Sequence, residues 1–181
     1  GLSPATERIT EIGAVRVING EIQEKYDIFV NPGKPIPPKI TELTGITDQM
    51  VADAPDEAEG LRQFYAFCGD CRVLVAHNAK FDTSFIRAAA RRSGVEYPFT
   101  SIDTVPVCRA LYPGQKNYKL DTVAEFLRLP PFNHHRACDD ARVLAQIYQH
   151  CIKDMGEKGI ETVQQINCTI TGVDPKKAGY Y

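Results

Sequence analysis

The stretch Arg72-Val-Leu-Val-Ala-His-Asn-Ala-Lys-Phe-Asp82 decides the fold class of this chain. Its first half is a short apolar run that predicts a buried strand over residues 72–77. Its second half opens a helix that we expect from about 80 to 92, because Ser93-Gly94 is a typical helix end. A strand that passes directly into a helix is the building unit of α/β folds.

The segments on either side of this stretch predict a sheet of mixed direction. Residues 8–18 and 21–31 are rich in β-forming side chains and flank Asn19-Gly20, the strongest short signal for a hairpin. A hairpin followed by alternating strands and helices predicts an α/β fold with a mixed central sheet flanked by helices. The remaining predicted elements are a strand at 99–104, helices near 39–43, 56–68, 105–112, 119–128 and 137–154, a short helix with Thr47 as its N-cap, and a helix with a loose tail over 160–181.

Composition excludes several classes of protein. The chain has 181 residues, of which 43% are hydrophobic and 24% charged, as in an ordinary globular domain. No apolar run reaches ~18 residues, so we expect no transmembrane helix and no membrane partner. The formal net charge of −2 disfavours a protein that coats nucleic acid, but it leaves open a small pocket for a strand end, with bound cations supplying positive charge. Six scattered cysteines indicate the reducing cytoplasm.

Asp82 is the first carboxylate in an unusual position. It lies three, four and seven residues before Phe85, Ile86 and Ala89, so it falls on the apolar stripe of its predicted helix. A carboxylate at the edge of an apolar face is costly unless it is paired or bound to a cation. Two interpretations stay equally open from this spacing, a helix N-cap and a functional carboxylate.

Asp140 repeats this pattern on the long predicted helix at 137–154. It falls between Ala137 and Leu144 on the apolar stripe, whereas Asp139 is turned away by about 100° and suits the helix dipole. His135 precedes Asp140 by five residues, from where a loop side chain can approach the carboxylate. A surface histidine is the plainer interpretation, with His134 as an equal candidate.

At this point the residues resemble a known family. His77-Asn-Ala-Lys-Phe-Asp82 resembles the H-N-A-x-F-D motif of DEDDh 3′→5′ exonucleases, and His135-Arg-Ala-Cys-Asp-Asp140 resembles their H-x-A-x-x-D motif. Residues 10–15 resemble the second strand of that family, and residues 43–47 its nucleotide-pocket helix. The resemblance implies the ribonuclease-H-like exonuclease fold. A closer resemblance, to the proofreading domain of PolC-type bacterial DNA polymerase III, is carried by Pro35-Ile-Pro-Pro-Lys-Ile40, Tyr118-Lys-Leu-Asp-Thr122, His134-His-Arg-Ala137 and Ile166-Asn167.

The resemblance also implies a chemistry. The family hydrolyses phosphodiesters with two divalent cations, magnesium or manganese, and releases nucleoside 5′-monophosphates from a 3′ end. It implies that Asp82 and Asp140 are catalytic metal ligands and that His135 is the general base on the attacking water. The implied partners are a single-stranded or frayed DNA 3′ end and polymerase domains of the same or an associated chain. The implied substrate-binding residues are Leu43, Thr44, His77 and Asn78.

One family motif is missing. The first motif is a strand that ends in D-x-E-T-T-G, and this chain begins at what would be its last glycine. We therefore expect the first strand and two of four acids to be absent, an exonuclease domain over 1–155, and a helix and tail over 156–181 leading toward a following domain. We also expect the chain as given to bind metal poorly and to show weak or absent nuclease activity. Glu11 is a candidate substitute, although a partly buried acid satisfied by hydrogen bonds is the plainer interpretation.

Three alternatives remain open from the sequence. The motifs do not separate DNA from RNA, so an RNA 3′-end exonuclease of the same fold fits them. A helicase-linked exonuclease fits equally. A catalytically inactive, polymerase-binding scaffold is favoured by the missing motif and disfavoured by the carboxylates on apolar faces.

Overall fold

The computed structural model describes residues 3–132 and 136–173. Strands alternate with helices after an initial hairpin, as the sequence predicts. The strands are β1 (Glu11–Ile18), β2 (Glu21–Phe29), β3 (Val73–Ala76) and β4 (Thr100–Asp103). The helices are α1 (Pro38–Thr44), α2 (Asp48–Val51), α3 (Glu57–Cys68), α4 (Ala79–Ser93), α5 (Thr104–Leu111), α6 (Leu120–Phe126), α7 (Ala137–Gly156) and α8 (Val163–Gln165), followed by a π-helical turn at Ile166–Ile170.

Local signals account for most of these boundaries. Asn19 and Gly20 both adopt positive φ, which is the geometry of a two-residue hairpin turn between β1 and β2. The Thr47 hydroxyl accepts a hydrogen bond from the Met50 N–H at 3.3 Å and caps α2, as predicted. Helix α4 ends at Gly94 in the left-handed conformation. The predicted helix after residue 160 is only one short turn that continues into the π-helical turn.

The strands form two separate pairs. β1 and β2 are antiparallel, and β3 and β4 are parallel with Ala76 opposite Asp103. Both directions that the sequence predicts are therefore present. Among the described residues, no strand lies between the two pairs to hydrogen-bond them into one sheet.

Three apolar clusters stabilise the fold; a small one lies around Ile46 and Val51, and two larger ones hold the strands and the long helices together. One joins β4, α5, α6 and α7 through fully buried side chains such as Ile102, Val107 and Ile147. The other joins the hairpin with α3 and α4 around Leu61 and Ala89. Burying each large aliphatic side chain stabilises the fold by about 1.5–3 kcal/mol. Helices α4 and α7 thus belong to different clusters, and their relative placement depends on contacts between the two.

The last described segment packs on the first of these clusters. Ile166 is buried in it, and Ile160, Val163 and Ile170 pack against its surface. Residues 174–181 lie outside the described residues. Within the two described ranges, no helix combines the length and the hydrophobicity needed to cross a membrane.

Candidate active site

The two carboxylates predicted from the sequence occupy the same position on two helices. Asp82 is the fourth residue of α4, and Asp140 is the fourth residue of α7. Neither helix has a side-chain cap from its own N-cap residue, Asn78 or Arg136. Each start is instead held by an acid from a distant strand.

Asp82 lies among other carboxylates. Asp82 as a whole residue is exposed to solvent. Its carboxyl group is nevertheless surrounded by many protein atoms, and this desolvation raises the pKa of Asp82 to about 6. The negative charges of Asp103 and Asp140 raise the pKa of Asp82 further. The fold therefore brings Asp82 and Asp140 close enough to repel each other, and it adds Asp103 to the same region.

Asp103 holds the turn that leads into α4. One oxygen of its carboxylate accepts hydrogen bonds from the Asn78 N–H and the Val105 N–H, both at 3.0 Å. Asn78 has φ 65° and ψ 53°, a left-handed conformation that asparagine tolerates better than most residues. The Asn78 side chain is exposed, so its backbone is fixed while its amide remains accessible.

His77 is tied into the protein through both ring nitrogens. Nδ1 lies 2.8 Å from the Thr104 hydroxyl, and Nε2 lies 2.7 Å from the Tyr118 carbonyl oxygen. Because a carbonyl only accepts, Nε2 carries the proton and Nδ1 accepts from the Thr104 hydroxyl. Burial lowers the pKa of His77 and favours this neutral form. The ring thus links the end of β3 to α5 and to the loop before α6.

Glu11 holds the start of α7. One of its oxygens accepts from Arg136 Nε at 3.1 Å and from Arg136 Nη2 at 3.0 Å. The other accepts from the Ala137 N–H at 3.1 Å. The prediction of a buried acid satisfied by hydrogen bonds is therefore confirmed, and both oxygens of the candidate metal ligand are occupied by the protein itself.

Leu43 and Thr44 close helix α1. The Thr44 hydroxyl donates to the Ile40 carbonyl at 2.8 Å and accepts from the Ile46 N–H at 3.2 Å. It thereby shapes the turn at Gly45. Leu43 is 53% exposed, more than any other large apolar side chain among the described residues. Of this pair, Leu43 is the one free to contact a ligand.

The general base predicted from the sequence precedes α7 in the chain. His135 and its alternative His134 lie outside the described residues. The next residue, Arg136, is described and is anchored by Glu11. The role of His135 therefore stays a prediction.

The oxygen donors suit a hard divalent cation in kind. Asp82 and Asp140 would hold it, and their mutual repulsion is the electrostatic condition that a cation relieves. The number of donors is small, since residues 3–132 and 136–173 hold no group of three or more potential ligands close enough for a metal ion.

Sequence reasoning missed Asp103 and the joint role of Glu11 and Arg136. Asp103 ends β4 beside the end of β3, and carboxyl ends of parallel strands meet at one sheet edge. The predicted strand at 99–104 already contained that signal. Glu11 and Arg136 are 125 residues apart in the chain, so their contact produces no local sequence pattern that could predict it.

Comparison with known proteins gives a consistent result. The exonuclease family model RNase_T matches residues 1–148. The DNA polymerase III PolC-type of Caldanaerobacter subterraneus subsp. tengcongensis is 44% identical over 183 residues, which cover 100% of this chain and 13% of that protein. The DNA polymerase III PolC-type of Bacillus subtilis (strain 168) is 40% identical over 171 residues, covering 92% of this chain and 12% of that protein. The chain thus spans a small part of these relatives.

Solved structures share the fold. Exonuclease X in complex with 5′ overhanging duplex DNA superposes with a TM-score of 0.73 at 29% identity, covering 99% of this chain and 94% of that one. E. coli Exonuclease I in complex with a dA16 oligonucleotide superposes with a TM-score of 0.78 over 96% of this chain and 43% of that one. Its identity of 17% supports a shared fold alone.

Proposed function

The chain belongs to the exonuclease family, and from this premise we propose that it is the 3′→5′ proofreading exonuclease unit of a PolC-type bacterial DNA polymerase III. It would remove nucleoside 5′-monophosphates from DNA 3′ ends. One observation carries the proposal. Asp82 and Asp140 occupy equivalent positions on α4 and α7, and they lie close enough for one charge to raise the pKa of the other.

The proposal assigns the acids to two divalent cations, Mg²⁺ or Mn²⁺. Bound cations of this kind supply a metal-activated water and neutralise charge on the phosphodiester. Asp82 and Asp140 would hold them through carboxylate oxygens. We assign the proton of the attacking water to His135, because the imidazole of histidine can accept a proton near neutral pH. His77 is unsuited to it, because both of its ring nitrogens are occupied within the protein.

Four residues would serve the substrate in two different ways. Leu43 exposes an apolar side chain that suits the face of a terminal base, and Asn78 exposes an amide that suits polar groups of the strand end. Thr44 and His77 would act through the backbone that they hold in place.

The proposal places the exonuclease unit at residues 1–155, with residues 156–181 as the segment beyond it. The packing of Ile166 on the core supports close association of the two. Polymerase domains would be its partners, and the bacterial cytoplasm its location, where six free thiols stay reduced.

A polarity assay tests this function. The product of the complete reading frame is incubated with Mg²⁺ or Mn²⁺ and a single-stranded DNA oligonucleotide labelled at its 5′ end. We expect stepwise shortening from the 3′ end with release of nucleoside 5′-monophosphates, and loss of this activity on chelation. Faster digestion of a matched RNA oligonucleotide would favour the RNA exonuclease, and an inactive protein would favour the scaffold.

The 181-residue chain alone tests the need for further acids. The sequence contains no Asp-x-Glu segment, so this chain supplies two of the family's four carboxylates. We expect it to hydrolyse the same oligonucleotide weakly or not at all. Clear Mn²⁺-dependent degradation would contradict the assignment of four acids.

A further inference from the structure

We propose that Glu11 is a positioning residue for Asp140, and that it acts by fixing Arg136 and the first turn of α7 against β1. The inference rests on the proposed function, because it concerns the placement of one of its metal ligands. Glu11 itself would touch neither substrate nor metal, since both of its oxygens face Arg136 and Ala137.

The Glu11 end of this contact is buried, and the Arg136 end donates two hydrogen bonds. The Glu11 side chain is only 6% exposed, and Arg136 presents two N–H groups to one of its oxygens. The Arg136 guanidinium also lies 5.6 Å from the centre of the Phe29 ring at the end of β2. A planar guanidinium held by a carboxylate and an aromatic face has little freedom to move.

The geometry passes directly from this contact to Asp140. The Arg136 carbonyl accepts the first helical hydrogen bond of α7, from the Asp140 N–H at 3.0 Å. Glu11 also satisfies the Ala137 N–H, one of the amides that a helix start leaves without an internal partner. Its negative charge at the N-terminus of α7 complements the helix dipole.

Gly13 supports the same contact independently. A Cβ at this position would lie 2.2 Å from the Ala137 carbonyl carbon and 2.2 Å from the Cys138 nitrogen. Backbone therefore meets backbone, and only glycine fits. Glu11 and Gly13 lie two residues apart on β1 and so share one strand face, which is the face toward α7.

This contact also joins the two apolar clusters. Ile12 and Ala14 pack with the cluster that contains α4, whereas α7 belongs to the other cluster. The placement of Asp140 relative to Asp82 thus depends on how β1 meets the start of α7. A displacement of about 1 Å at reacting groups can cost 10²-fold in rate.

The test compares Glu11→Gln and Arg136→Lys with a matched control, Arg16→Met. Arg16 also pairs with a carboxylate, Glu24 at 3.5 Å, and also lies over an aromatic ring, Phe67 at 5.0 Å. It lies on the same strand, about 17 Å from Glu11 by the ~3.3 Å rise per residue. The control therefore removes a similar contact away from α7.

Two readouts separate positioning from folding. In the metal-free 181-residue chain, we expect amide hydrogen exchange at Ala137–Asp140 to rise about tenfold in Glu11→Gln, while amides of α3 are unchanged. In the product of the complete reading frame, we expect kcat to fall about 10–100-fold with KM for the oligonucleotide nearly unchanged, as is typical of groups that orient metal ligands. Arg136→Lys, which keeps the charge and loses the fork, should fall in between, and Arg16→Met should match the unsubstituted protein.

The outcomes are distinguishable. Unchanged exchange at Ala137–Asp140 in Glu11→Gln, or faster exchange there with an unchanged kcat, would overturn the inference alone. An unsubstituted protein without exonuclease activity would overturn the proposed function instead.

Discussion

The starts of α4 and α7 look alike from the sequence and are held in different ways. Each places an aspartate at its fourth residue, and each lacks a cap from its own N-cap side chain. At α4, Asp103 accepts a hydrogen bond from the N–H of Asn78, which lies only 25 residues away in the chain. The backbone of Asn78 has the left-handed conformation. At α7, Glu11 forms a forked ion pair with Arg136, which lies 125 residues further along the chain.

The difference shows what each half of the site depends on. The turn before α4 relies on backbone conformation at the end of β3, which is paired in parallel with β4. The start of α7 relies on charge and on the close approach of Gly13. Substitutions that change backbone freedom should therefore affect the turn before α4. Substitutions that change charge or size should affect the start of α7.

The largest expected effect is a loss of kcat, and it is the same for both helix starts. Asp82→Asn and Asp140→Asn each remove one negative oxygen donor, so each should lower kcat by more than about 100-fold, beyond the loss typical of groups that only orient ligands. Asp139→Asn is the matched control in the same turn as Asp140. Steady-state kinetics of the product of the complete reading frame on the oligonucleotide decide this, and a wild-type rate in either site variant would contradict the assignment of that carboxylate.

The next effect concerns α7 alone. Gly13→Ala forces a methyl group into the backbone of Ala137 and Cys138, so we expect a loss of about 1–3 kcal/mol in the free energy of unfolding. Gly156→Ala, in the last turn of α7, is the control, because its Cβ would meet nothing within 4 Å and the substitution gains up to about 1 kcal/mol in helix propensity. Urea denaturation measures both, and equal stabilities would show that β1 and α7 do not meet this closely.

A smaller effect concerns α4 alone. Asn78→Ala should lower the free energy of unfolding by about 1–2 kcal/mol, because alanine resists the left-handed conformation. Asn78→Gly should stay close to the unsubstituted protein, since glycine adopts this conformation freely. A thermal melt of the three proteins suffices. Alanine and glycine variants of equal stability would show that the turn is not held at positive φ.

The smallest effect is a pH dependence. The pKa of Asp82 is about 6 in the folded protein, above its ordinary value of 3.8, so the folded state binds the proton more tightly. Stability is therefore lost as pH rises from about 3.8 through 6, and the loss is complete at pH 7. Without metal, Asp82→Asn should melt slightly above the unsubstituted protein at pH 7, and the difference should vanish below the unfolded pKa. A difference in melting temperature that does not depend on pH would show that the charge of Asp82 is not its cause.

Sequence patterns predicted the elements and two carboxylates of the candidate site. Local signals such as Asn19-Gly20 and Thr47 act within a few residues, so they predict turns and caps correctly. The helical period alone is enough to assign Asp82 and Asp140 to apolar helix faces. Periodicity carries no information about which distant groups meet, and for that reason it did not reveal the hydrogen bond from Ala137 to Glu11. The separation of the strands into two pairs was also not predicted, because strand pairing is a property of the whole fold.

We expect Asp82 and Asp140 to form one cation site from two helix starts. Paramagnetic broadening of backbone amide signals by substoichiometric Mn²⁺ in the 181-residue chain tests it most directly, because broadening detects even weak binding. We expect the first turns of α4 and α7 to broaden together, and Asp140→Asn to weaken the broadening at both. Broadening at only one of these turns, or at neither, would contradict it.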